Sequence, residues 1–239
     1  MNYDGGKNAV YHHIINQMPP HDVYVELFLG SGAVMRQKKP ARQNIGVEID
    51  PLQCSAVKPF LPTAAELFNM DSLQFLRSQF RLLVPSGADV LIYLDPPYLF
   101  NTRTYQRNLY GYEFGTEKQH GELLRLLCTL SSSVIISGYA SSLYDEILKG
   151  WRRVEFKAYD RMHRARTEIL WCNFPEPVEL HDYSFLGDNR TERQRIKRKK
   201  IRWKNRLEKM SSLERMSVMS AIQEFRDHSQ SKLAASPVT

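Results

Sequence analysis

The chain has 239 residues, is 42% hydrophobic and 25% charged, and carries a formal net charge of +7. That length holds one sizeable core and a small appendage; its apolar runs are far shorter than the ~20 residues that span a bilayer, so a membrane-spanning helix is excluded. Three scattered cysteines, Cys54, Cys128 and Cys172, form no CxxC pair, which argues against a zinc site or disulfide framework. With no signal-peptide pattern at the start, the sequence predicts a soluble cytoplasmic protein without a metal.

Apolar residues at helical spacing over 7–18 predict a first helix, and "VYVELF" (23–28) a first strand. The strand delivers "ELFLGSGAV". Gly30 and Gly32 lack Cβ atoms, so the backbone there can approach a ligand or turn with positive φ; a GxG after a strand is also an ordinary turn. A short helix over 33–38 leads to a second strand, "NIGVEI" (44–49), whose tip reads "GVEID". An acid at that position can take a ribose diol through two hydrogen bonds. Glu48 and Asp50 both qualify, but Pro51 suits the first position of a helix that Asp50 would cap, so Glu48 is favoured. Asp71 opens a predicted helix over 71–83, as an N-cap, as an acceptor for an adenine amino group, or as both.

"DVLIYL" (89–94) predicts the third strand, and it ends in Asp-Pro-Pro-Tyr. Two prolines hold φ near −65° and stiffen the corner. Asp95 then offers an acceptor beside the carbonyl of Pro96. Two acceptors that bind both protons of an exocyclic amine draw its nitrogen toward sp³ character and free the lone pair to attack a methyl group. Tyr98 can stack on the base that carries the amine.

The next segment, 99–115, interleaves Phe100, Tyr105, Tyr110, Tyr112 and Phe114 with Arg103 and Arg107. That mixture suits stacking on unpaired bases with phosphate neutralisation, or a loop packed back on the domain. A helix over 117–130 carries the stripe Leu123, Leu124, Leu127, Leu130, and "SSVIISGY" (132–139) is a fourth strand. After Gly150, "RRVEFKAYD" and "RTEILWCNF" predict an antiparallel pair. Its basic tip holds Arg161, Arg164 and Arg166, which either contact phosphates or form an exposed turn. Pro175 and Pro177 close the first domain, 1–178.

The extension, 179–239, holds the charge. Residues 187–209 carry 11 Lys/Arg against 3 acids, whereas 1–186 carry 19 against 20. From Asn189 to about Arg226 the residues predict one long helix, basic in its first half and amphipathic in its second, before a disordered end. The cluster Lys197, Arg198, Lys199, Lys200 suits salt-sensitive phosphate binding, or a solvated helix face. Strands alternating with helices, and strands apolar on both faces, predict an α/β, Rossmann-like doubly wound, mostly parallel sheet. A terminal antiparallel pair and a C-terminal basic helix complete it.

Taken together, these motifs resemble a Dam-type, D12-class DNA adenine N6-methyltransferase. "YDGGK" (3–7) resembles that family's N-terminal Trp/Tyr-x-Gly-Gly-Lys element and "ELFLGSGAV" its Phe-x-Gly-x-Gly loop. "GVEID" and Asp71 fall where its ribose- and adenine-binding acids fall, "DPPY" resembles its catalytic tetrapeptide, and "RTEILWCNF" its last strand. The resemblance covers roughly 1–178. It implies S-adenosylmethionine as cofactor, with Tyr3, Lys7, Phe28, Gly30, Gly32 and Asp71 against it, Glu48 on its ribose, and Asp95 between it and the target amine. DNA is the implied partner, double-stranded with the base flipped out, or single-stranded. The family's large recognition insert between the Asp71-like and Asp95-like positions is missing, since only residues 72–94 separate them, which predicts relaxed sequence specificity. Adenine N6 in RNA, cytosine N4, or a non-catalytic DNA-binding regulator are the competing readings.

Overall fold

Runs of apolar residues buried on both faces pair as β1 (Val23–Leu27), β2 (Gln43–Glu48), β4 (Val90–Leu94) and β5 (Ser133–Gly138); the sheet adds β3 (Ala65–Asn69), β6 (Arg152–Tyr159) and β7 (Ala165–Cys172). The computed structural model describes residues 7–100, 114–159 and 164–234. The sheet order is β3-β2-β1-β4-β5-β7-β6. β1 to β5 are parallel, and β7 enters antiparallel between β5 and β6. Strand order reverses between β1 and β4, and ligands of open α/β sheets bind beyond the carboxyl ends of the strands at such a point.

Helices cover both faces. On one face, Val10, Ile14, Ile15 and Met18 around α1 (Tyr11–Ile15), Val34 and Met35 of α2 (Ala33–Gln37) and Val57 of α3 (Pro51–Val57) pack on Tyr24, Leu91, Tyr93, Ile135 and Leu170. On the other, α4 (Ser72–Ser78), α5 (Phe80–Leu83), α6 (Glu117–Cys128) and α7 (Ser142–Ile147) pack on Val25, Ile45, Ile92, Ile136 and Ile169. The Rossmann-like doubly wound sheet with its terminal antiparallel pair is therefore present. All three cysteines are free thiols, and among the described residues no helix is long and apolar enough to cross a membrane.

Several expected elements differ in extent. The DPPY strand is the fourth, because β3 was not anticipated: it is an edge strand with half-exposed residues. The helix expected over 7–18 shrinks to α1. Tight i→i+3 bonds from Gln17 to Ile14 and from Met18 to Ile15 replace its last turn, and Pro19 follows. The helix expected over 71–83 breaks at Gln79 (φ −107°), so α5 turns Phe80 into the core at 6% exposure.

The chain divides into two units, Met1–Phe185 and Leu186–Thr239. Within the first, the segment after β7 is tied back: the His181 amide donates to Met18 O (3.0 Å), Asp182 accepts from Lys39 N (2.9 Å), and the His181 and His21 rings stack at 3.8 Å. In the second unit the expected single helix is two, α8 (Arg190–Lys209) and α9 (Ser212–Ala234). Met210 takes an extended ψ of 150° between them. α9 is not amphipathic: Leu213, Met216, Met219, Ile222 and Phe225 are all exposed, and their three-residue steps wind them around the axis at ~100° per residue. The helix also extends through Ala234, into the end expected to be disordered; residues 235–239 lie outside the described residues.

Candidate active site

At the tip of β1 the chain makes three left-handed residues in alternation, Phe28 (φ 55°), Gly30 (φ 51°) and Gly32 (φ 60°). A bulky residue in that region is strained, and such strain gathers at functional sites. Phe28 is held by edge-on contact with Phe114, ring centroids 5.0 Å apart. A Cβ on Gly32 would meet Leu61 Cδ2 at 3.0 Å and Val57 Cγ2 at 3.2 Å. Glu48, at the tip of β2, accepts from the amides of Gly30 (2.7 Å) and Asp50 (3.0 Å). It thereby ties the glycine loop to the neighbouring strand. Burial pushes its carboxyl up from the ordinary carboxylate range. Asp50 caps α3 by accepting from Leu52 N, with Pro51 at the first helical position. Asp71 caps α4 by accepting from Gln74 N at 2.9 Å.

Asp95 follows β4 into the proline corner. Lys7 Nζ lies 2.9 Å from Asp95 Oδ1 and 2.6 Å from Glu168 Oε1, and donates to Tyr98 OH at 2.6 Å. An ammonium has three N–H bonds, and three acceptors meet them here. Tyr98 in turn donates to Glu168 Oε1 at 3.0 Å. Lys7 Nζ is 5.1 Å from the Tyr98 ring centroid; with the phenol oxygen only 2.6 Å away, the contact is an end-on hydrogen bond rather than a cation above the ring face. Ser137 Oγ reaches Asp95 Oδ1 at 3.3 Å and Tyr93 OH at 2.8 Å. Tyr139 tilts against the Tyr98 ring, centroids 4.4 Å apart.

Burial pushes the Asp95 carboxyl up to about 6, against the pull of Lys7 and with the push of Glu168. Burial would lower Lys7, but Asp95 and Glu168 reverse this and hold its ammonium well above the ordinary lysine value. His120, 1% exposed, braces the corner from α6. Its Nε2 lies 3.1 Å from Pro97 O and 2.9 Å from Phe114 O. Both are acceptors, so Nε2 carries the hydrogen; Nδ1 then accepts from Tyr144 OH at 2.8 Å.

Lys7, Asp95 and Tyr98 are thus brought into one cluster, with Pro96 buried beside them. Phe28, Gly30, Gly32 and Glu48 lie at and just beyond the neighbouring tips of β1 and β2. Glu168, Ser137, Tyr139 and His120 were not anticipated. Glu168 is 4% exposed and heads the apolar run "EILWC", where an acid with no visible purpose is itself the signal. Arg166, two residues before Glu168 on β7, is near enough to act on the Tyr139 phenol; Arg164 is exposed. Lys197, Arg198, Lys199 and Lys200 are exposed on α8. Tyr3, Arg103, Tyr105, Arg107, Tyr110 and Arg161 lie outside the described residues.

The residues at these strand tips fit S-adenosylmethionine. Three left-handed residues open the loop, and Glu48 offers roughly four acceptor positions, more than two amides use. Such a sheet, with a glycine loop after β1 and Asp-Pro-Pro-Tyr after β4, has the Rossmann-like fold of S-adenosylmethionine-dependent methyltransferases. The chain belongs to the D12 class N6 adenine-specific DNA methyltransferase family, whose model matches residues 3–46 and 56–165. No curated protein matches it. Among solved structures, it is similar to a protein of Streptococcus mutans described as a SAM-dependent methyltransferase (15% identity, TM-score 0.49, 70% of this chain). The match spans 48% of that protein. A dimethyladenosine transferase from Plasmodium falciparum is 12% identical over 72% of this chain and 62% of its own, TM-score 0.45. TrmK of M. capricolum, in complex with S-adenosyl-homocysteine, is 9% identical over 91% of this chain and 95% of its own, TM-score 0.44.

Proposed function

We propose that the chain methylates N6 of adenine in DNA. The observation that carries this reading is the buried cluster of Lys7, Asp95, Glu168 and Tyr98 at the β4 tip. When bound, S-adenosylmethionine supplies an electrophilic methyl group. Phe28, Gly30 and Gly32 shape its cradle, Glu48 takes the ribose diol, and Asp71, beside the tips of β2 and β3, takes the adenine amino group.

Asp95 Oδ1 is committed to Lys7 and Ser137, which leaves Oδ2 to accept one proton of the target amine. The carbonyl of Pro96 accepts the other. Both bonds localise the lone pair on nitrogen and aim it. As the N–C bond formed and the methyl–sulfur bond of the donor broke, leaving a neutral thioether, the nitrogen would become acidic and release one proton to Asp95, which would pass it to water. Tyr98, its phenol pinned by Lys7 and Glu168, presents its ring to the base. Orientation of two bound reactants supplies most of the acceleration. In a duplex the amine is buried in the stack, so the base is flipped out or taken from an unpaired strand. Arg164 and Arg166 neutralise phosphates beside the site. Sequence specificity is relaxed, since 72–94 hold only α4, α5 and β4.

The test is transfer of tritium from methyl-labelled S-adenosylmethionine to DNA, with the product digested to nucleosides. N6-methyladenine is expected as the labelled nucleoside, and Asp95→Asn is expected to abolish it. Label in cytosine, or in RNA alone, would reject the substrate; undiminished label with Asp95→Asn would reject the role of Asp95.

A further inference from the structure

Eleven of the twenty residues of α8 are Lys or Arg, against two acids, Glu192 and Glu208. None of the twenty is buried. At ~100° per residue the cations are not spread evenly. Arg195, Lys199, Arg202, Arg206 and Lys209 recur at steps of four, three, four and three, and make one straight ridge. Arg190, Arg193, Lys197, Lys200 and Lys204 recur at steps of three, four, three and four, and make a second, about 180° from the first. Each ridge runs about 21 Å along the axis. The two acids pair locally, Glu192 with Arg195 at 3.2 Å and Glu208 with Lys204 at 3.7 Å, and exposed pairs of this kind offset little.

Two narrow seams separate the ridges. Gln194, Ile201 and Asn205 form one, all exposed; Ile196, Trp203 and Leu207 form the other, with Ile196 and Leu207 half-buried. A partner must therefore offer anionic rows on both sides of a rod. An anionic bilayer offers one plane, and a helix lying on it needs one broad apolar face opposite a polar one. Here apolar residues are confined to thin strips between cations. A B-form duplex offers two phosphate rows flanking a major groove about 12 Å wide, and a helix with side chains is about 10–12 Å across. The A-form major groove of duplex RNA is too deep and narrow to admit it.

We propose that α8 is a duplex-DNA-binding helix that lies in the major groove with one basic ridge on each phosphate row. The exposed seam faces the base edges, where the amides of Gln194 and Asn205 can pair with adenine. The helix supplies tethering that is mostly indifferent to sequence, since phosphate contacts position and base contacts specify. The choice of DNA as polymer rests on the proposed function, but the binding it predicts needs no methyl transfer.

The experiment measures binding of the full-length chain to a labelled B-form duplex by fluorescence anisotropy across a salt series, without cofactor. Ten phosphate contacts give a slope of log K against log salt near −9. Replacing all five cations of either ridge by Gln, a good helix former, is expected to flatten the slope by about 4.5. Both ridges should do so alike. A ridge variant that keeps the wild-type slope overturns the proposal. So does wild-type protein that binds an A-form RNA duplex or anionic vesicles as tightly as DNA, a comparison that needs no variant to fold. Ridge-dependent duplex binding in a protein that transfers no methyl group supports this inference and overturns the proposed function alone.

Discussion

At the residue scale, the site turns on one cation shared by two carboxylates. Lys7 holds Asp95 and Glu168 together, and Lys7 and Glu168 act on Asp95 ionisation in opposite senses. The proposed mechanism needs Asp95 as a carboxylate, so kcat/KM should fall as pH drops through about 6. Lys7→Met removes the pull that favours the carboxylate, and the acid limb should move up by about 1–3 units. Glu168→Gln removes a repelling charge while keeping an acceptor for Tyr98, and the limb should move down. Both are read from pH–rate profiles. Variants that merely loosened the fold would lower activity without moving the limb in opposite directions, and limbs that stay put would remove electrostatic coupling from the account.

At the scale of elements, what was legible depended on burial. β1 and β4 are buried along their whole length, and doubly buried parallel strands read as unbroken apolar runs, so their ends were placed to within a residue. β3 escaped because an edge strand shows only half-exposed residues, and its Glu66 and Asn69 dilute the pattern. In the site, Asp95 and Tyr98 were legible because two prolines mark the corner. Glu168 was not, because its partner Lys7 lies 161 positions away and only the sheet brings them together. His120 was hidden for a related reason: it sits on the leucine-striped face of α6, where a histidine reads as core. Its partners give it a mechanical purpose, since one N–H serves the carbonyls of Pro97 and Phe114 at once. His120→Leu should leave both unmet and cost about 1–3 kcal/mol, seen as a lower Tm. It should lower kcat more than it raises KM, because the corner that holds Asp95 loses its brace. His120→Gln, which keeps a donor, should recover part of both; a Gln variant no better than Leu would show that the ring's packing, not its hydrogen bonds, is what counts.

For the whole molecule, specificity is the open consequence of the fold. Each well-made bidentate base contact discriminates by about 1–3 kcal/mol, so a strict four-base target needs several side chains presented from a dedicated platform. Residues 72–94 cannot provide one. Leu73, Phe75, Leu76 and Phe80 are committed to the core, and β4 is buried on both faces between β1 and β5. The second unit offers cations in quantity, but phosphate contacts are blind to sequence, and in the proposed binding mode two amides on α8 read at most a base pair or two. In the proposed function, affinity for DNA and selectivity within it are therefore supplied unequally: much of the first, little of the second. Methylated adenines mapped on a long natural DNA should share a context of about one to three bases, and raising the salt should reduce methylation at all sites together. A single strict palindrome of four or more bases across the map would mean that a reading surface exists which α4, α5, β4 and α8 do not account for.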